Sequence, residues 1–278
     1  MKLLVNGFEA HVATGGKEFE KKLPTVLFLH GSGLDHRSWA LQTRWFAYNG
    51  FGVLAPDFPG HSLSNGAPCT SIEESGKWLS DFLDAVGVEE AHIVGHSQGF
   101  LSALELSKLK PTAVKSLTGV GTAAAIPVNP MLIDTAEHSP TKAADMMLQW
   151  GFGHQTQMGV SATPGMQPIA IGRQIMRNNP LATDLQCCAD YSAGVDAAQL
   201  ITAPSAMILA DGDKMTPIKA GLAIAEQLEA KLVVLRDYGH MLPIEAPKQV
   251  LVALREFILG VEQYECGEVE ILGDESKI

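Results

Sequence analysis

Three side chains far apart in this sequence are of the types that together make a nucleophile: Ser97, Asp213 and His240. A serine hydroxyl is a poor nucleophile at its own pKa and reacts only when a base can take its proton. Histidine does this near neutrality, and a carboxylate holds it in one tautomer. Ser97 lies in Ile93-Val94-Gly95-His96-Ser97-Gln98-Gly99, between an apolar run and a stretch with helical spacing, Phe100, Leu101, Leu104 and Leu106. Gly-x-Ser-x-Gly between strand and helix is a nucleophile elbow, a strained turn that lifts the serine hydroxyl to the edge of a sheet. Its glycines stand where side chains would meet the neighbouring strand or helix. The N–H of Gln98 then lies at a helix start, where partial positive charge favours a developing oxyanion. Asp213 and His240 follow the serine in the chain order Ser, Asp, His, each just beyond an apolar run.

The elements that must position these groups are legible as periodicities. Residues 3–5 and 8–12 read as a hairpin about Asn6-Gly7. The continuous apolar run 25–29 reads as a strand buried on both faces, and it ends in His30-Gly31-Ser32-Gly33. A Gly-rich turn at that end of a buried strand can aim backbone N–H groups into a cleft. A helix is expected over 36–48, with Trp39, Trp45 and Phe46 on or near its buried face. The next strand, 51–55, runs into Pro56-Asp57-Phe58-Pro59-Gly60-His61-Ser62. Ser71 and Glu74 form a capping box for a helix that Gly87 ends, and the elbow strand follows. Further strands are expected at 113–120, 206–209 and 232–235, and helices at 217–228 and 247–259. The alternation predicts an α/β fold, a mostly parallel twisted sheet with helices on both faces. Ser97, Asp213 and His240 all fall at the C-terminal ends of its strands.

From 121 to 203 that rhythm lapses. Six of the ten methionines fall there, with Trp150 and Phe152, and no strand-like run interrupts them. The expected organisation is a core of residues 1–120 and 204–260, an inserted helical cap at 121–203 and an acidic tail at 261–278. Methionines and aromatics at helical spacing form core or line an adaptable apolar pocket. Met147 and Trp150 from the insertion, with Gly31, Gly33, Phe100 and Met241 beside the catalytic loops, are the expected pocket residues.

At 278 residues, 46% hydrophobic and 18% charged, the chain has the makings of a packed domain. A net charge of −11 disfavours nucleic acid or an anionic membrane surface as partner. No apolar run approaches the roughly 20 residues that span a bilayer, and Asn6-Gly7 interrupts the N-terminus before a signal-type apolar region forms. The four cysteines (Cys69, Cys187, Cys188 and Cys266) make no C-x-x-C. A reducing, cytoplasmic setting is therefore expected. There is no metal-ligand spacing and no phosphate-binding glycine motif, so neither metal nor nucleotide cofactor is expected. The expected partner is a small-molecule substrate; oligomeric state leaves no signature. Among the other histidines, His96 is expected to pack in the elbow, His30 to be a hydrogen-bonded structural residue, and His138 and His154 to face solvent.

From about residue 25 to residue 259 the chain resembles the α/β-hydrolase fold superfamily. The motifs that carry the resemblance are His30-Gly31-Ser32-Gly33, the loop from Pro56 to Ser62, the elbow, Asp213-Lys214-Met215-Thr216-Pro217, and Gly239-His240-Met241-Leu242-Pro243-Ile244-Glu245. The resemblance implies Ser97 as nucleophile, His240 as base and then acid, Asp213 as orienting carboxylate, and the amides of Ser32 and Gln98 as oxyanion hole. Two departures stand out. Asp211 occupies a position where the family often has glycine, which makes it a rival acid, although Asp213 keeps the family's spacing to Pro217. Ser62-Leu63-Ser64 replaces the commoner Gly-x-Ser. The implied activity is cofactor-independent hydrolysis of a small apolar ester. The alternatives are carbon–carbon hydrolysis of ring-cleavage products, a cofactor-free haloperoxidase or perhydrolase, and a ligand receptor on a hydrolase scaffold. A carboxylate nucleophile, as in dehalogenases and epoxide hydrolases, is disfavoured by Ser97.

Overall fold

A computed structural model describes residues 1–266 of the chain. Eight strands form one sheet in the order β1-β2-β4-β3-β5-β6-β7-β8. The first two, β1 (Lys2–Val5) and β2 (Phe8–Ala13), make an antiparallel hairpin in which Val5 pairs with Phe8. Asn6 and Gly7 take positive φ at its tip, 50° and 83°, as a two-residue hairpin with the sheet's twist requires. The other six strands run parallel: β3 (Thr25–Leu29), β4 (Gly52–Pro56), β5 (Ala91–His96), β6 (Val114–Val120), β7 (Ser205–Ala210) and β8 (Lys231–Leu235).

Helices cover both faces, and the side-chain alternation of the strands assigns each residue to one of them. Leu27, Leu29 and Ile93 join the core beneath α2 (Ile72–Val86) and α3 (Gln98–Leu109). Val26, Phe28 and Val94 point the other way, into a core shared with α1 (Ala40–Tyr48) and the C-terminal helix. The Ser71 hydroxyl accepts the Glu74 N–H at 3.1 Å, while the Glu74 carboxylate returns to Thr70 rather than to Ser71. Gly87, at φ 73°, ends α2.

Between β6 and β7 lie α4 (Pro130–His138), α5 (Pro140–Gly151), α6 (His154–Gln157), α7 (Pro168–Met176), α8 (Leu181–Asp190) and α9 (Gly194–Ala198). Apolar residues of α4, α5, α7 and α8 form a third core with Leu34, Met241 and Ile244. The remaining helices are α10 (Ile218–Gln227), α11 (Leu242–Glu245) and α12 (Pro247–Cys266). Helix α12 outruns the expected end at residue 259 and enters the stretch read as tail. One glycine in a helix costs only about 1 kcal/mol. Beyond it Val261 packs on the core, and Glu262 bonds Lys115 at 2.7 Å and His92 at 2.8 Å. The rest of the expected acidic tail lies outside the described residues.

Candidate active site

Ser97 sits between β5 and α3 at φ 52° and ψ −121°, a conformation that non-glycine residues rarely adopt. The neighbouring glycines make it possible. A Cβ on Gly95 would lie 2.5 Å from the backbone of Phe100, and one on Gly99 would lie 2.6 Å from the carbonyl oxygens of Leu29 and His30. The Ser97 N–H donates to the Val120 carbonyl at 3.1 Å, and the Thr122 hydroxyl donates to the Ser97 carbonyl at 3.0 Å. The turn is thus tied to the end of β6, and the contribution of Thr122 has no motif by which the sequence could have announced it.

His240 Nδ1 and Asp213 Oδ2 are 2.8 Å apart, and both side chains are buried. Asp213 is further held by the Thr216 hydroxyl at 2.6 Å on Oδ2 and by the N–H groups of Met215 and Thr216, each 2.8 Å from Oδ1. Burial alone would raise its pKa, but His240 and Thr216 together hold the carboxyl below its usual value. Asp211, the rival acid, is exposed and accepts the Asp237 N–H instead. With Nδ1 committed to Asp213, Nε2 is the nitrogen through which His240 can exchange a proton. Neither the Ser97 hydroxyl nor His240 Nε2 makes a hydrogen bond among the described residues, and both residues line one cavity. Apo sites commonly leave the nucleophile–base bond open until substrate arrives.

That cavity measures about 180 Å³, and its wall is largely apolar. Ser32, Met147, Trp150 and Met241 lie on it, together with Leu34, Ile126–Asn129, Leu132, Leu185, Cys188, Lys214 and Met215, which the sequence reading missed. Gly31, Gly33 and Phe100 do not line it. Phe100 is wholly buried in the core below α3, because the helix turns that position away from Ser97. Gly31 backs onto His96 and Ser97, and Gly33 faces Leu181 and Met176. Of the six methionines in the insertion only Met147 reaches the cavity, whereas Met131 and Met158 are exposed and Met176 is core. The N–H groups of Ser32 and Gln98 find no acceptor among the described residues. The Ser32 hydroxyl donates to Gln98 Oε1 at 2.7 Å, which bridges the two residues expected to supply the oxyanion hole.

The helices between β6 and β7 also grip the histidine loop. The Gly151 carbonyl accepts the N–H of His240 at 2.6 Å and of Met241 at 3.1 Å. Buried Glu245 accepts Gly153 N–H and Thr156 hydroxyl on Oε1 and Gly239 N–H on Oε2.

His30 and His96 are buried and neutral. His30 donates from Nδ1 to the Gly31 carbonyl and accepts the Phe58 N–H on Nε2, and His96 donates from Nε2 to the His240 carbonyl. Burial, reinforced by His61 for His30 and by His240 for His96, lowers their pKa values from 6.5 to about 4 and about 3. Below the unfolded value the unfolded chain takes up protons that these folded groups refuse, so stability falls with pH until the folded values are reached. At about pH 5 the loss is roughly 2 kcal/mol per histidine. His61, whose pKa is raised in the fold, offsets part of it. Urea midpoints measured from about pH 7 to about pH 4.5 should decline accordingly, and a level profile would contradict the assignment. His138 and His154 are exposed, and neither lines the cavity.

Residues 26–254 match the model of the alpha/beta hydrolase family. A 2-hydroxy-6-oxononadienedioate/2-hydroxy-6-oxononatrienedioate hydrolase of Dechloromonas aromatica is 27% identical over 78% of this chain and 80% of its own length. The acetyltransferase component of the acetoin cleaving system of Cupriavidus necator is 34% identical over 41% of the chain, and the match spans only 29% of that protein. In shape, the enol-lactonase of Burkholderia xenovorans superposes with a TM-score of 0.81 at 22% identity, covering 93% of this chain and all of that one.

Proposed function

The chain belongs to the alpha/beta hydrolase family, and from that membership we propose that it is a cofactor-independent serine hydrolase of small carboxylic esters with an apolar acyl or alcohol group. The observation that carries the reading is the 2.8 Å bond from buried Asp213 to a histidine that shares an apolar cavity with a strained serine. Ser97 Oγ attacks the ester carbonyl carbon while His240 Nε2 takes its proton. The negative charge gathers on the carbonyl oxygen, where the N–H groups of Ser32 and Gln98 stabilise it. His240 then gives the proton to the departing alkoxide, leaving an acyl-serine. Water, deprotonated by the same nitrogen, attacks the acyl carbon and frees Ser97. Helices α4–α9 act as a cap, contributing Leu132, Met147, Trp150, Leu185 and Cys188 to the wall that receives the apolar group.

Carbon–carbon hydrolysis is the second reading, favoured by the relative from Dechloromonas aromatica, which aligns along most of both chains. A fluorophosphonate probe followed by peptide mapping, with a panel of 4-nitrophenyl esters and a vinylogous diketone assayed in parallel, separates the two. Labelling confined to Ser97 and turnover of short esters are expected. Diketone cleavage without ester turnover would move the assignment to the second reading. Absence of labelling and of both activities would end the enzyme reading and favour a ligand-binding role.

A further inference from the structure

The turn that carries the Ser32 N–H is held from outside the sheet. Asp184 of α8 is 3% exposed, and its Oδ2 accepts the Gly33 N–H at 2.7 Å and bonds His61 Nε2 at 2.9 Å. Asn179, just before α8, donates from Nδ2 to the carbonyls of Gly33 at 3.0 Å and Leu34 at 2.9 Å. Its Oδ1 accepts the Ser62 N–H at 2.9 Å. Gly33 takes φ +66°, and a Cβ there would sit 2.8 Å from Leu181 of the same helix. Both peptide groups that flank Gly33 are therefore bonded to one short stretch of the helical segment.

The charge state of this clamp follows from its partners. His61 Nδ1 faces the Pro59 carbonyl at 3.0 Å while Nε2 faces Asp184. With oxygen atoms facing both ring nitrogens, the geometry suits a doubly protonated ring beside a carboxylate. Burial opposes the charge on both groups, but each favours the charged form of the other, so that His61 is shifted up and Asp184 shifted down. A buried pair of this kind is a poor device for stability alone, since apolar replacements commonly do as well. It does fix a register between the segments that carry the two charges and the turn they share.

We propose that Asp184 and Asn179 are positioning residues for the oxyanion turn, so that the aim of the Ser32 N–H depends on α8 being seated against the sheet. This rests on the serine hydrolase reading above. A donor held in place matters when charge develops on the carbonyl oxygen and little when substrate first binds. Loosening the clamp should therefore lower kcat and leave KM nearly unchanged.

The test uses the full chain with Asp184→Asn, Asp184→Ala and Asn179→Ala, kinetics on a 4-nitrophenyl ester, inhibition by an alkyl boronic acid, and hydrogen exchange of the peptide covering residues 31–35. The expected loss in kcat is about tenfold to a hundredfold for each alanine variant, less than removal of a whole donor costs. KM should change by less than about threefold, and boronate affinity should fall in step with kcat/KM. Exchange at the turn should quicken. Asp184→Asn keeps an oxygen for the Gly33 N–H and should fall between the wild type and Asp184→Ala; it also serves if the alanine variant does not fold. Faster exchange with kcat within about twofold of wild type would overturn the proposal, as would a change confined to KM. Wild-type protein inert to every ester would instead overturn the hydrolase reading, a result seen before any variant is made.

Discussion

Ser97→Ala should leave the fold intact and remove ester turnover, with kcat/KM expected to fall by at least about a thousandfold. The hydroxyl it deletes makes no hydrogen bond among the described residues, so its loss orphans no partner. The backbone strain at φ 52° is the same for alanine as for serine, and the glycines and the Thr122 bond that sustain it are untouched. Stability should therefore change by less than about 0.5 kcal/mol. The other hydroxyl and thiol on the cavity wall are poor substitutes: the Ser32 hydroxyl is bonded to Gln98, and the Cys188 thiol is pushed up to about 12 by burial and stays protonated. Any residual rate reflects the oxyanion donors and the cavity acting on water. Progress curves with a 4-nitrophenyl ester, beside urea midpoints for both proteins, measure the two halves of the expectation. A variant that kept wild-type turnover would remove Ser97 from the mechanism.

Asp213→Asn should cost about ten-thousandfold in kcat while sparing KM. Oδ1 must accept two N–H groups, from Met215 and Thr216. An asparagine at this place keeps its oxygen on that side and turns its NH₂ toward His240. The NH₂ can only donate, so Nδ1 must become the acceptor and the ring proton moves to Nε2. A histidine in that tautomer cannot take the Ser97 proton. Glu245, the other buried carboxylate near the histidine loop, is occupied by three donors and is no replacement. Stopped-flow detection of the first turnover distinguishes lost acylation from lost deacylation; kcat within about tenfold of wild type would show that the carboxylate does not set the tautomer.

Much of the scaffold was written in local patterns. Apolar runs mark β3, β4 and β7 because both faces of these strands are buried, and the Asn6-Gly7 pair supplied the positive φ of the first hairpin. The elbow was legible as a motif, and only part of its reason is local. Gly95 answers a contact with Phe100 a few residues on, whereas Gly99 makes room for the Leu29 and His30 carbonyls of a strand far earlier in the chain. Thr216 could have been found as well, three residues beyond Asp213, where a hydroxyl and an N–H fall within reach of the carboxylate. Phe100 shows the opposite error. Adjacency to Ser97 suggested a wall residue, but the pitch of α3 carries it into the core.

Composition, periodicity and motif spacing by themselves determined the α/β architecture, the turn that carries Ser97 and the order of the strand ends. Each follows from forces acting over a few residues: steric exclusion at a turn, side-chain alternation, helical pitch. Only the tertiary structure decided that Asp213 rather than Asp211 meets His240, that residues 126–129 wall the cavity while Gly33 does not, and that Asp184 and Asn179 hold a turn roughly 150 positions earlier in the chain. Those choices depend on how separate segments dock. A carboxylate in a helix reads the same in sequence whether it meets water or, as here, a buried histidine ring and a backbone N–H.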